Sequence, residues 1–120
     1  MKYLNKFRLI NKIAYVLGGS GYIGTEITFA LIEFGAKVIV LDTDYNNKFT
    51  RNKHIKFEKI NVAKLKESEN KLNKLMSKHG TPNIFVNCSY PYSKSWSKCS
   101  FSKITLKSIK ENISYLIVYV

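Results

Sequence analysis

The stretch Leu17-Gly18-Gly19-Ser20-Gly21-Tyr22-Ile23-Gly24 narrows what this chain can fold into more than any other part of it. It follows the apolar run Ile13-Ala14-Tyr15-Val16-Leu17, which reads as a buried strand, and opens onto residues 25–34, which read as an amphipathic helix. Strand, glycine turn and helix stand in the order a dinucleotide site requires. Glycines let the main-chain N–H groups of positions 18 to 24 reach a pyrophosphate, and the N-terminus of the following helix adds the positive end of its dipole. Two glycine registers fit, Gly18/Gly21/Gly24 and Gly19/Gly21/Gly24. Both share Gly21, the residue nearest the pyrophosphate, and Gly24, where helix packs on strand. Ser20, Tyr22 and Ile23 complete the loop.

Gly35-Ala36 ends that helix, residues 37–41 read as the second strand, and Asp42 stands at its carboxyl end, 18 residues beyond Gly24. A carboxylate there accepts both ribose hydroxyls of an adenosine and repels a 2′-phosphate. Neither Thr43 nor Asp44 supplies a cation, so NAD is expected over NADP. The competing reading is a glycine-rich turn in a doubly wound protein that takes FMN, a mononucleotide or no ligand. The agreement of turn and carboxylate spacing weighs against it.

With 120 residues the chain has the length of one domain, 1–120, short for an enzyme built this way. Its net charge of +12 raises the question of nucleic acid, but lysines are spread from Lys2 to Lys110 and arginine occurs only at Arg8 and Arg51. No helix carries a one-sided basic stripe, and the expectation is no nucleic-acid partner. Cys88 and Cys99 have neither metal nor redox spacing, and His54 and His79 lack ligand partners nearby in sequence, so no metal is expected. Residues 1–12 are basic and precede an apolar run, as in a secretory leader, yet that run breaks at Gly18 without a small-residue cleavage pattern. No apolar segment reaches the ~18 residues of a membrane span. A cytoplasmic protein with reduced thiols is the expectation.

Beyond Asp42 the chain is polar to Lys53, with Asn46-Asn47 as a turn signal. Residues 55–60 alternate as an edge strand does and end in Asn61-Val62. Residues 64–78 place Leu65, Leu72, Leu75 and Met76 on one helical stripe, with Gly80 as C-cap and Pro82 beyond. Residues 83–87 read as strand four, residues 88–102 as a long loop, and residues 103–120 as a helix with Ser102 as N-cap. The order β-α-β-β-α-β-α lacks a second crossover helix, or reduces it to the 43–53 loop. Right-handed crossovers give a partial doubly wound, Rossmann-like α/β fold: a parallel sheet in the order 3-2-1-4, ending before strand five, with the cofactor where strands 1 and 4 part.

These residues resemble the short-chain dehydrogenase/reductase family over essentially the whole chain. Residues 17–24 resemble its Thr-Gly-Gly-x-Gly-Tyr-Ile-Gly form, and Asp42 its NAD-selecting acid. Asn61-Val62 stands where the family has Asp-Val beside the adenine, and Asn87-Cys88-Ser89-Tyr90 where it has Asn-Asn-Ala-Gly. Asn112 matches the helix asparagine that supports the active site there, although an ordinary helix residue explains it equally well. Leu17 replaces the family's Thr, Asn61 a carboxylate, and Cys88 the second Asn. Residues 86–91 also resemble an Asn-Ala-Tyr-Pro branch linked to surface-glycan and flagellin-sugar synthesis, which implies a small-molecule or nucleotide-sugar substrate.

The resemblance implies hydride exchange between a nicotinamide and an alcohol or carbonyl, with a tyrosine, a lysine four residues later and a serine moving the protons. Those residues belong to strand five and the helix after it, which this sequence does not reach. Tyr90-Pro91-Tyr92-Ser93-Lys94 fits Tyr-x-x-x-Lys, but Pro91 and the serine-rich loop argue against the helical turn that chemistry needs. The expectation is thus the NAD(P)-binding portion of an oxidoreductase, inactive alone. Its C-terminal helix would meet a second subunit or a complementing fragment. Two other readings stay open: a non-catalytic nucleotide-binding or interaction module, and the unstable product of a decaying reading frame.

Overall fold

A computed structural model of the chain describes residues 2–62, 64–90 and 101–117. They fall into two compact units, Met1–Ser89 and Tyr90–Val120. In the first, a short helix α1 (Lys2–Lys6) precedes strand β1 (Ile13–Leu17), helix α2 (Tyr22–Glu33), strand β2 (Lys37–Asp42), strand β3 (Ile55–Lys59), helix α3 (Leu65–His79) and strand β4 (Ile84–Asn87). All strand pairs are parallel and the order is β3-β2-β1-β4, the 3-2-1-4 arrangement expected.

Strand β1 and the interior of β2, Val38 to Leu41, are hydrophobic because both faces of the sheet are covered there. Successive side chains point to opposite faces, so each strand feeds two cores. Ala14, Val16, Val38 and Val40 meet Phe29 and Ile32 of α2. Tyr15, Leu17, Ile39 and Leu41 meet Leu72, Leu75 and Met76 of α3. Each fully buried aliphatic side chain stabilises by roughly 1.5–3 kcal/mol. Leu65, expected on the α3 stripe, has its side chain outside the described residues.

Between β2 and β3 a single 3₁₀ turn, Asn47–Phe49, stands where a crossover helix would run. Phe49, 3% exposed, packs on Phe29 with ring centroids 5.9 Å apart, and Tyr45 meets Phe57 edge-on at 5.3 Å. These contacts cover the sheet with far fewer residues than a helix needs.

Helix α3 ends on Gly80, as expected, and the sheet supplies the partners of its last turn. The Tyr15 hydroxyl donates to Gly80 O at 2.8 Å and to Leu75 O at 3.1 Å. Burial, and secondarily the charge of Glu58, pushes that phenol upward. One carboxylate oxygen of Glu58 on β3 accepts from both Lys78 Nζ and His79 Nε2 at 2.7 Å. Burial alone would raise the Glu58 carboxyl, but these bonds and charges outweigh it and hold it below its ordinary range.

In the second unit a 3₁₀ turn, Phe101–Lys103, precedes helix α4 (Leu106–Ile117). The helix therefore starts later than the expected residue 103, and Thr105 rather than Ser102 caps it. Thr105 Oγ1 accepts from Ser108 N at 3.2 Å while Ser108 Oγ accepts from Thr105 N at 3.0 Å. That reciprocal pair has the geometry of a capping box, which satisfies two donors at once and outcompetes a single-residue cap.

Glu58→Gln keeps the shape of the α3 clasp and removes its charge. Because the folded Glu58 carboxyl lies below its ordinary value of 4.5, its stabilising contribution is complete above that pH and is lost as pH falls through the folded value. Urea melts should show the variant about 1 kcal/mol less stable at pH 7. The gap should narrow as the pH is lowered below the ordinary carboxyl range.

Candidate functional site

Strand β1 turns at Gly18, whose φ of +72° lies in the left-handed region that favours glycine. A Cβ there would sit 2.7 Å from Ser89 N and 2.8 Å from Cys88 C, the backbone leaving β4. At Gly19 it would meet Val16 O and Val40 Cγ1 at 2.9 Å. At Gly24 it would overlap Gly18 O and lie 2.6 Å from Gly19 Cα, so this glycine brings α2 against the turn itself rather than against a strand. Packing within the chain therefore requires glycine at three of the four positions. Gly21 is different: with φ −73° it is unstrained, and a Cβ would meet only Gly18 O, at an ordinary 3.4 Å. Nothing in the fold asks for glycine there.

The amides of the turn divide into occupied and free. Gly18 N donates to Leu41 O at 2.8 Å, Gly21 N to Gly18 O at 3.2 Å, and Thr25 N to Gly21 O at 2.9 Å. Ser20 N donates to Asp42 Oδ2 at 2.9 Å. Helix α2 starts at Tyr22, earlier than the sequence pattern marked, with Gly21 as an N-cap that has no side chain to accept from it. Among the described residues, no backbone carbonyl takes the N–H groups of Tyr22, Ile23 or Gly24. These are the orphan donors of a helix N-terminus, and they carry the positive end of its dipole. Ser20 Oγ beside them is buried without a partner. An anion such as a diphosphate fits this set of donors, with Tyr22 and Ile23 exposed over it.

Asp42 faces the mouth of the turn through Ser20 N–H, while its other oxygen accepts from Thr43 N at 2.7 Å. Residues 87–89 lie beside the same turn. Cys88 N donates to Leu17 O at 2.8 Å, and Asn87 Oδ1 accepts from Ser89 N at 3.0 Å and Ser89 Oγ at 2.7 Å. That backbone bond ties β1 to β4 where the family uses a threonine hydroxyl, and the Leu17 side chain joins the α3 core instead. Cys88 is a half-buried free thiol pushed upward by burial, so it packs rather than reacts. Asn61 and Val62 start beside Asp42, since Ile60 N donates to Asp42 O at 2.8 Å. Asn61 is exposed and its carbonyl anchors α3 through Ser68 Oγ; Val62 packs on the α3 core.

Two polar residues missing from the sequence-based site hold the turn in place. Asn46 Nδ2 donates to Ser20 O and to Thr25 Oγ1, both at 3.0 Å, and Thr25 Oγ1 lies 3.4 Å from Gly19 O. The only sequence signal at Asn46 was its value as a turn former. Asn112 lies on α4 with its side chain outside the described residues, as do residues 91–94 of the Tyr-x-x-x-Lys match and Cys99. Among the described residues there is no group of three or more His, Cys, Asp or Glu placed to hold a metal ion, and no helix long and apolar enough to cross a membrane.

The glycines should separate experimentally. Gly24→Ala drives a methyl into the turn backbone and should cost about 3 kcal/mol or abolish folding. Gly21→Ala should cost no more than about 1 kcal/mol, the scale of an N-cap change. Thermal melts of the two variants read the difference.

A family model described as the NAD dependent epimerase/dehydratase family matches residues 14–107. Among solved structures, a short chain dehydrogenase from Leptospira borgpetersenii with bound NAD+ superposes with TM-score 0.73 and 19% identity, covering 98% of this chain and 45% of its own. The epimerase Mth375 from Methanothermobacter thermautotrophicus gives 0.62 and 21%, covering 93% and 34%. Pseudomonas aeruginosa RhlG, in a complex with NADP, gives 0.68 and 19%, covering 93% and 46%. The chain thus spans less than half the length of these structures. No curated protein matches it. The expected likeness to short-chain dehydrogenases holds at the level of fold, and the extent of the family match settles the rest: this chain belongs to the NAD dependent epimerase/dehydratase family.

Proposed function

We propose that this chain is the cofactor-binding part of an NAD-dependent oxidoreductase. The diphosphate is held on the first turn of α2 and the adenosine ribose on Asp42. One observation carries the reading: the only glycine of the turn that the fold does not need, Gly21, caps a helix whose first amides have no acceptor. A side chain there is sterically acceptable to the protein alone, so its absence is explained by something that approaches the backbone. The bound NAD+ of the Leptospira structure and the NADP of the Pseudomonas structure support a nicotinamide dinucleotide. Preference for NAD rests on Asp42, with Thr43 and Asp44 adding no cation for a 2′-phosphate.

When bound, the nicotinamide supplies hydride. The chain's own residues supply its seat: Asn87, Cys88 and Ser89 border the turn, and Asn61 and Val62 flank Asp42. Proton transfer falls to groups other than these, and the resemblance of the sequence at 86–91 to the Asn-Ala-Tyr-Pro branch favours a sugar or nucleotide-sugar substrate. The seat works in the cytoplasm, where NAD is plentiful and thiols such as Cys88 stay reduced. Turnover calls for proton-transfer groups in addition to this seat.

Titration with NADH, followed by nicotinamide fluorescence, tests the seat. Saturable binding is expected, lost on Gly21→Val while circular dichroism stays unchanged; no binding at millimolar ligand, or binding that survives the valine, contradicts the proposal. NADPH should bind at least about tenfold more weakly, equivalent to 1.4 kcal/mol. Asp42→Asn keeps an oxygen for Ser20 N–H while removing the charge, and should bring the two affinities together. Equal affinity in the parent chain contradicts the NAD preference.

A further inference from the structure

We infer that Asn46 is a positioning residue for the diphosphate seat, an inference that rests on the reading of α2 as that seat. Asn46 stands in the loop after β2, outside the turn in sequence. Its Oδ1 accepts from Lys48 N at 3.0 Å and so caps the 3₁₀ turn Asn47–Phe49. With the oxygen engaged there, the amide orientation is set and Nδ2 faces the glycine turn. It donates to the carbonyl of Ser20 and to the hydroxyl of Thr25, at 3.0 Å in both cases. Thr25, 2% exposed, is placed to hand its own proton to Gly19 O. One side chain thereby fixes two consecutive carbonyls of the turn, those of Gly19 and Ser20. A fixed carbonyl fixes its peptide plane. The planes of residues 19–21 set where Gly21 leaves the turn and hence where the free amides of Tyr22 and Ile23 point.

The loop is anchored for reasons of its own. Phe49 is buried against Phe29 of α2, and Tyr45 stacks edge-on against Phe57. Asn46 lies between these two aromatic residues and transmits a rigid wall to a turn whose glycines give it little stiffness of its own. Asn46 is expected to touch neither base nor sugar. Its loss should weaken ligands through their diphosphate alone.

Asn46→Ser isolates that role, because a serine still caps the 3₁₀ turn but is too short to reach Ser20 O and adds no charge. Affinities of ADP and adenosine, measured by ligand-observed NMR, provide the readout. The variant should bind ADP about tenfold more weakly, equivalent to 1.4 kcal/mol. Adenosine should stay within about twofold. Thr25→Val removes the other half of the latch and should give the same selective loss, with the double variant little worse than either single one. A parallel fall for both ligands, or unchanged ADP affinity in both variants, overturns the inference while leaving the diphosphate seat intact. A parent chain that binds neither ligand overturns the seat and the inference together.

Discussion

At the end of β1 three stretches of backbone come closer than side chains allow. Gly18 lies against the chain leaving β4, Gly19 against β1 and β2, and Gly24 against the turn below it. Everything at the carboxyl edge of the sheet depends on this approach. It brings residues 87–89 beside the turn, seats the first turn of α2 directly on the glycine turn, and leaves that helix to start on a glycine with no side-chain cap. The same close contact that completes the fold bares the amides a ligand would use.

The charges around the turn are complementary to an anion in a graded way. Asp42, facing the turn, engages only Ser20 N–H and leaves the α2 amides free. The chain's excess of 20 Lys and Arg over 8 Asp and Glu adds a diffuse positive background that steers anions without specifying one. Specificity is local, in the geometry of a few peptide planes and one carboxylate.

Strand existence, sheet order and the glycine turn were legible in the sequence because each rests on local pattern: apolar runs for buried strands, glycine where φ is positive, an acid at a strand end. The reduced crossover at residues 43–53 was legible for the same reason, its polarity excluding a packed helix. What escaped depends on pairs far apart in sequence. Asn46 meets Ser20 across 26 positions, and Glu58 meets His79 across 21, neither marked by any periodicity. The cap of α4 escaped differently: Ser102 and Thr105 are both good caps, and only the reciprocal partner Ser108 decides between them. The short helix α1 carries no pattern long enough to declare itself.

The central claim is that free main-chain amides at the start of α2 receive the diphosphate. Amide chemical shifts in a ¹⁵N-labelled chain titrated with ADP read it residue by residue. The account predicts the largest movements at Tyr22, Ile23 and Gly24, with smaller ones at Ser20 and Thr43 around Asp42. Perturbations confined to the lysine-rich surface of α3, with the start of α2 unmoved, would contradict it.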